Sequence, residues 1–309
     1  MLTMKFAYAA MGLTALGVAA LGLFLYTPDV PVPVLEAKYR VSPQDFVTVA
    51  GIRLHVRDTG PRDGVAVILL HGFGSSLQTW DAWADSLSGS FRVIRYDLPG
   101  FGLTGADPSG DYTTARSMAV LAALMDRLGV ARASIIGNSM GGLLAWRFAA
   151  AHPDRVEKLV LVSPDGFASP GFEYGRAPQV PLMLKALPYT LPRFMLRISL
   201  APAFADPGQL SEALVTRYWD MMRAPGVRAA VIGRTAQTIL VDPAPLLASI
   251  QAPTLLLWGE KDGMIPFANA ADYLKAMPHA KLVALPGLGH VPQEEAPAES
   301  LTPVMDFLK

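Results

Sequence analysis

The stretch "IIGNSMGGLL", residues 135–144, decides the fold. An apolar run ends in Gly137, Asn138 and Ser139, and two more glycines follow before apolar residues resume. A strand that turns sharply into a helix with a serine at its apex has this pattern, because glycine alone supplies both the space and the dihedral freedom that the turn needs. The stretch therefore predicts a strand, a strained serine and a helix, with Ser139 as a candidate nucleophile.

Short apolar runs recur on both sides of this stretch. Residues 45–51 and 52–60 alternate in polarity and predict a hairpin. The later runs of four to eight apolar residues, separated by helical patterns, indicate a mostly parallel sheet with helices on both faces, which is an α/β fold. These later runs are VAVILLHG (65–72), FRVIRYDLPG (91–100), ASIIGNSMGG (133–142), EKLVLVSPDG (157–166), APTLLLWGEKD (252–262) and KLVALPGLGH (281–290).

One long interval interrupts the succession of strand and helix patterns. About eighty residues separate two successive strand patterns, far more than a crossover helix needs. We expect a core of residues 46–165 and 246–309, and a helical cap of residues 166–245 that either decorates the core or forms a lid over a pocket at the carboxyl ends of the strands. The cap offers apolar side chains either for its own core or for contact with a substrate. The candidates are Phe167, Phe172, Leu182, Met183, Leu187, Phe194, Met195 and Leu196.

The amino terminus carries a long uncharged stretch, Phe6 to Tyr26, preceded by Lys5. Its length suits a helix that crosses a bilayer, and the basic flank favours a catalytic domain outside the cytoplasm. We therefore expect residues 1–28 to form an uncleaved membrane anchor, with a cleaved secretory signal and a buried helix as alternatives. The proline-rich residues 29–45 are expected to form a stiff spacer.

Composition limits the partners. Lys and Arg together number 26, as do Asp and Glu, and cysteine is absent. The balance gives no reason to expect nucleic acid, and the lack of cysteine excludes disulfides and thiolate metal sites. Residues Gly100–Gly105 match the GxGxxG pattern of dinucleotide-binding loops, but a polar loop follows them where such a site needs the start of a helix. The pattern therefore does not indicate dinucleotide binding. We expect a small-molecule substrate, no cofactor and no metal.

A serine nucleophile needs a base, and the base needs an orienting acid. Both should follow later strands, in the chain order Ser, Asp or Glu, His. His290 ends the last strand pattern and is the predicted base. Asp262 follows the preceding strand and is the favoured acid, while Asp165 and Glu260 remain alternatives.

The oxyanion that forms when serine attacks a carbonyl is best stabilised by backbone amides that are already in position. Met140, the residue after the serine, is expected to supply one amide. The turn after the third strand, "LLHGFGSS", is expected to supply the other through Phe73, with His71 and Gly72 shaping the turn.

From about residue 46 onward the chain resembles the α/β-hydrolase superfamily. "HGFGSSLQTW", "RYDLPGFGLT", "GNSMGG", "GEKDGMIP" and "GLGHVPQEE" occur in that family's order and spacing. The resemblance implies an eight-stranded sheet with a cap after the sixth strand, the triad Ser139, Asp262 and His290, and the oxyanion donors Phe73 and Met140.

Within the superfamily the motifs are similar to those of bacterial monomeric lipases and esterases, and of hydrolases that cleave carbon–carbon bonds in ring-fission products. The expected function is therefore ester cleavage through an acyl-enzyme. Carbon–carbon bond hydrolysis and cofactor-free haloperoxidase or perhydrolase activity are alternatives that use the same triad. A binding protein without turnover is the non-enzymatic alternative.

Overall fold

The computed structural model describes residues 2–168 and 173–309. Eight strands of this part of the chain form one sheet. They are β1 (Phe46–Val49), β2 (Ile52–Thr59), β3 (Ala66–Leu70), β4 (Arg92–Tyr96), β5 (Ala133–Asn138), β6 (Val156–Val162), β7 (Thr254–Gly259) and β8 (Lys281–Leu285).

The strands lie in the order β1-β2-β4-β3-β5-β6-β7-β8. β1 pairs antiparallel with β2, and β2 pairs antiparallel with β4. All later pairs are parallel. Every residue of β3, β4, β5 and β7 is buried, as expected for strands covered on both faces. The predicted α/β-hydrolase fold, with its mostly parallel sheet and amino-terminal hairpin, is confirmed.

Thirteen α-helices occur in the described residues. They are α1 (Leu2–Leu25), α2 (Val32–Tyr39), α3 (Asp81–Leu87), α4 (Thr114–Arg127), α5 (Met140–Ala151), α6 (Leu182–Lys185), α7 (Arg193–Leu200), α8 (Glu212–Met222), α9 (Val227–Gln237), α10 (Ala244–Ser249), α11 (Ala270–Ala276), α12 (Pro292–Glu295) and α13 (Pro297–Leu308).

The sheet has one hydrophobic layer on each face. Ile68 and Leu70 of β3 pack in a cluster with α4, α5 and α11, whereas Val67 and Leu69 pack in a second cluster with α3 and α13. Alternate side chains of a strand point to opposite faces, so one apolar strand serves both layers. Because β3 to β8 are parallel to one another, their carboxyl ends lie along one edge of the sheet.

The interval between β6 and β7 contains α6 to α10. The segment before β1, where the sequence predicts a spacer, contacts these helices. Asp220 of α8 accepts hydrogen bonds from Lys38 Nζ at 2.6 Å and Tyr39 Oη at 2.7 Å. Arg228 of α9 pairs with Asp29 at 2.6 Å. Residues 29–39 are thus attached to the region that the sequence predicts to be a cap.

The amino-terminal helix overlaps the predicted membrane anchor. The sequence predicts a membrane-spanning helix over Phe6 to Tyr26, and α1 extends from Leu2 to Leu25. Among the helices of residues 2–168 and 173–309, however, none combines the length and the apolar character that a membrane crossing needs.

Candidate active site

Ser139 lies at the turn between β5 and α5, in a strained backbone conformation. Its φ of 55° and ψ of −122° are unusual for a residue with a side chain. Its amide donates to Val162 O at 3.0 Å, which anchors the turn to β6. A Cβ on Gly137 would lie 2.2 Å from Gly141 O, and a Cβ on Gly141 would lie 2.2 Å from Leu70 O. Both glycines are therefore needed for the close approach that exposes the serine.

His290 and Asp262 form a buried pair beside the cavity that Ser139 lines. His290 Nδ1 lies 2.7 Å from Asp262 Oδ2, and His290 lines the same cavity as Ser139. The other carboxylate oxygen, Oδ1, accepts from the amides of Met264 and Ile265, each at 2.8 Å. This bonding leaves Nε2 as the basic nitrogen of His290, the arrangement that a general base requires.

The alternative acids contact other groups. Asp165 follows β6, and its amide donates to Ser139 O at 3.1 Å. Burial raises the pKa of the Asp165 carboxyl. Within the described residues, the carboxylate that bonds to the His290 ring is that of Asp262. Glu260 is exposed, and its amide donates to Leu285 O at 3.1 Å.

Two polar residues of the quoted motifs, for which the sequence predicts no role of their own, hold the His290 loop in place. Asn138 Nδ2 donates to His290 O at 2.9 Å, which joins the serine turn to the histidine loop. Glu295 accepts from the Gly289 amide and from the Ala205 amide, each at 2.8 Å. The loop is thus attached both to the sheet and to the interval between β6 and β7.

The turn after β3 places the Gly72–Phe73 peptide beside Ser139. A Cβ on Gly72 would lie 3.2 Å from Ser139 Cβ, so the two residues are in close contact. His71 Nε2 accepts from the Leu98 amide at 2.9 Å, so Nδ1 carries the proton and donates to Gly72 O at 2.8 Å. Burial lowers the pKa of His71 and keeps the ring neutral. The hydrogen bond from His71 fixes the direction of the Gly72 carbonyl. Since the C=O and N–H of a planar trans peptide point in opposite directions, the direction of the Phe73 amide is fixed as well.

A buried carboxylate supports this turn from behind. Asp97 accepts from His55 Nδ1 at 2.8 Å, the Leu77 amide at 2.7 Å and the Leu103 amide at 2.7 Å. Burial by itself would raise the pKa of Asp97, but the electrostatic attraction to His55 and the hydrogen bonds from His55 and the Leu77 amide outweigh it and hold the pKa below the ordinary value. Asp97 therefore joins the segments that follow β3 and β4 to strand β2.

We expect Asp97→Ala to lower the free energy of unfolding by about 3–5 kcal/mol, because it leaves buried donors without their acceptor. Urea unfolding followed by circular dichroism measures the change. The exposed Asp63→Ala is the matched control and is expected to change stability by less than about 0.5 kcal/mol. An equal effect of the two substitutions would contradict the assigned role.

The loss of stability in Asp97→Ala is expected to depend on pH. Because the folded-state pKa of Asp97 lies below the ordinary value of 3.8, native Asp97 gives up its proton more readily than unfolded Asp97. Its stabilising contribution is present above the unfolded pKa and is lost as the pH falls through the folded pKa. The difference in unfolding free energy between wild type and Asp97→Ala should therefore shrink when the pH is lowered below 3.8.

A cavity of about 590 Å³ opens beside Ser139. Of the predicted substrate-contact residues, Met183, Leu187, Met195 and Leu196 line it. The remaining predicted residues that the structure describes are not part of its wall: Leu182 is 82% exposed, Phe194 is 61% exposed, and Phe167 packs edge-to-face against Tyr273 with ring centroids 5.0 Å apart. Phe172 lies outside the described residues.

The orientation of α7 explains which of its predicted side chains line the cavity. Met195, Leu196, Ser199 and Leu200 share one side of α7 and face the cavity, while Phe194 points away.

No Lys, Arg, Asp or Glu is among the described residues that line the cavity. Residues 2–168 and 173–309 also contain no cluster of three or more His, Asp or Glu side chains placed to bind a metal ion.

Comparisons with known proteins agree with this fold. The family model of the alpha/beta hydrolase fold matches residues 65–297. The chain is 29% identical, over 85% of its length and 95% of the relative, to a 2-hydroxy-6-oxo-6-phenylhexa-2,4-dienoate hydrolase of Burkholderia cepacia. It is 32% identical, over 82% of its length and 91% of the relative, to a 2-hydroxy-6-oxononadienedioate/2-hydroxy-6-oxononatrienedioate hydrolase of a Pseudomonas species. The solved structure of a membrane phospholipase A, a bacterial virulence factor, superposes with a TM-score of 0.72 at 25% identity and covers 98% of both chains.

Proposed function

Since the chain belongs to the α/β-hydrolase fold family, whose model matches residues 65–297, we propose that it is a serine hydrolase that cleaves uncharged carboxylic esters with a large apolar part. The proposed catalytic residues are Ser139 as nucleophile, His290 as base and Asp262 as the orienting acid. The amides of Phe73 and Met140 are the proposed oxyanion donors.

In this mechanism His290 Nε2 takes the proton of Ser139 as Oγ attacks the ester carbonyl. The Asp262 carboxylate stabilises the imidazolium that forms, and the two amides stabilise the oxyanion. Collapse of the tetrahedral intermediate breaks the bond to the alcohol, which takes the proton from His290, and leaves an acyl group on Ser139. Water then attacks the acyl-enzyme with His290 again as base, and the acid product and free Ser139 are released.

The choice of an ester rests on the absence of Lys, Arg, Asp and Glu side chains among the described residues that line the cavity. A substrate with its own carboxylate would enter an apolar cavity without a cation to pair with, which is costly. Arg217, in the neighbouring α8, is already paired with Glu294 at 2.6 Å. The likeness to a phospholipase A along nearly the whole chain also supports an ester substrate.

Carbon–carbon bond hydrolysis of a ring-fission product is the second candidate. It is favoured by the relatives at 29% and 32% identity, whose names denote dienoate and dienedioate substrates. The same nucleophile, base and oxyanion donors serve both reactions, so the catalytic residues do not discriminate between them. The charge of the substrate discriminates between them, because a dienoate carries a carboxylate and a simple ester does not.

A direct comparison of the two substrates tests the proposal. We expect the full chain to hydrolyse p-nitrophenyl esters from acetate to palmitate, with an optimum beyond acetate because the cavity is large and apolar. We expect a 2-hydroxy-6-oxo-dienoate to be cleaved at least about 100-fold less efficiently in kcat/KM, since an unpaired carboxylate is poorly tolerated in such a cavity. If kcat/KM were instead higher for the dienoate than for the esters, ester cleavage would be rejected and carbon–carbon bond hydrolysis would become the proposed function.

A further inference from the structure

The cavity has a polar corner formed by two hydroxyl groups. Ser75 and Tyr218 line the cavity and are both buried. Ser75 Oγ lies 3.4 Å from Tyr218 Oη, and Tyr218 Oη lies 3.1 Å from Glu294 Oε1. Ser75 comes two residues after Phe73, so this corner adjoins the proposed oxyanion turn.

Glu294 sets the direction of both hydrogen bonds. Its side chain is 5% exposed and is paired with Arg217 at 2.6 Å, as a carboxylate requires when it is buried. A carboxylate only accepts hydrogen bonds, so Tyr218 donates its proton to Glu294, and Ser75 donates its proton to Tyr218. Burial raises the pKa of Tyr218, which keeps its proton in place. Both hydroxyl protons are thereby directed away from a ligand.

The atom left to serve a ligand is Ser75 Oγ, through its free lone pairs. We propose that Ser75 Oγ, oriented by Tyr218 and Glu294, is an acceptor subsite that selects a substrate carrying a hydroxyl group over its methyl-ether or carboxylate analogue. An ether or carboxylate oxygen has no proton to give, and Ser75 has no proton free to offer it. The inference rests on the proposed ester hydrolysis and narrows its substrate to an ester with a free hydroxyl on its acyl or alcohol part.

Apart from the proposed nucleophile Ser139, two other hydroxyl side chains of the described residues line the cavity and serve as comparisons. Ser199 Oγ donates to Leu196 O at 2.8 Å within α7. Thr190 Oγ1 is buried and has no hydrogen-bond partner in the described residues, so it is free both to donate and to accept. Neither is bonded to Tyr218, and substitution of Tyr218 should leave their hydrogen bonding unchanged.

Equilibrium binding to the full-length Ser139→Ala protein tests the subsite without turnover. Calorimetry compares primary alcohols of about five to eight carbons with isosteric methyl ethers, a range chosen to suit an apolar cavity of this class. We expect the alcohol to bind about 3- to 10-fold more tightly at the best-fitting length, the usual size of one neutral hydrogen bond. Adding Ser75→Ala should bring the ratio close to one, and adding Ser199→Ala should leave it as it was.

Tyr218→Phe separates an oriented acceptor from a merely polar corner. Without the tyrosine oxygen, the Ser75 proton is released and is free to bond an ether oxygen. Affinity for the methyl ether should therefore rise and the ratio should approach one, whereas in Ser75→Ala the ratio falls because the alcohol binds more weakly. A loss of packing would weaken both ligands alike and would not produce this opposite pattern.

Ester turnover supplies the second arm. In the protein with Ser139 intact, kcat/KM is compared for 6-hydroxyhexanoate and hexanoate ethyl esters and for 2-hydroxyethyl and propyl hexanoates, with and without Ser75→Ala. A preference for a hydroxyl ester that Ser75→Ala removes supports the subsite. An alcohol-to-ether ratio near one at every length, or a ratio that survives Ser75→Ala, overturns it. Alcohol selectivity without turnover of any ester would instead retain the subsite and reject the ester substrate.

Discussion

Ser139→Ala is expected to lower kcat/KM for p-nitrophenyl esters by about 10⁵- to 10⁶-fold, as loss of the nucleophile does in serine hydrolases that use this triad. The substitution removes the Oγ that forms the acyl-enzyme, while His290 and the proposed oxyanion amides are retained. The measurement is steady-state hydrolysis, together with covalent labelling by a fluorophosphonate. Labelling should be confined to the wild-type protein and should map to Ser139.

The chain offers a matched control for this substitution. Ser249 is exposed at the end of α10, shortly before β7 begins, and so lies at the edge of the sheet opposite Ser139. We expect Ser249→Ala to retain activity within about twofold, as for a surface substitution remote from the site. Near-wild-type turnover by Ser139→Ala, at unchanged circular dichroism, would reject the proposed nucleophile.

Much of the fold could be predicted from the sequence because its signals are local. The apolar runs identify buried strands, and the glycines around Ser139 identify a turn that tolerates no Cβ. Chain order then placed Asp262 and His290 at neighbouring strand ends, and these two side chains are 2.7 Å apart. Such patterns report on a single segment, so they succeed where the edge of a parallel sheet brings segments together automatically.

The supporting hydrogen bonds could not be predicted in this way. His55 meets Asp97 across 42 positions of the chain, and Asn138 meets His290 across 152 positions. No local pattern states which buried polar groups will pair at such distances. Neighbouring residues of the interval between β6 and β7 show the same limit, since Met195 lines the cavity while Phe194 is 61% exposed. Which side of α7 faces the cavity depends on how the helix docks.

Asp262→Asn is expected to lower kcat by about 10³- to 10⁴-fold, the usual effect of removing the acid of this triad. An amide in place of the carboxylate no longer stabilises the imidazolium and favours the wrong tautomer of His290, since its NH₂ group donates to Nδ1. The backbone bonds from Met264 and Ile265 go to Oδ1 and remain possible with asparagine, so the loop keeps its anchor. The readouts are steady-state kinetics and the unfolding midpoint in urea.

Asp165→Asn is the informative comparison, because Asp165 is the strongest alternative acid that the sequence offers. Its backbone is held by Ser139, Trp146 and Tyr273, through the 3.1 Å bond to Ser139 O and bonds of 3.0 Å and 2.9 Å to its own carbonyl. Asparagine retains these bonds, and the raised pKa of Asp165 reflects burial more than a partner, so we expect kcat to stay within about tenfold of wild type. If Asp165→Asn were instead the more damaging of the two, the acid of the triad would have to be reassigned to the strand end next to Ser139.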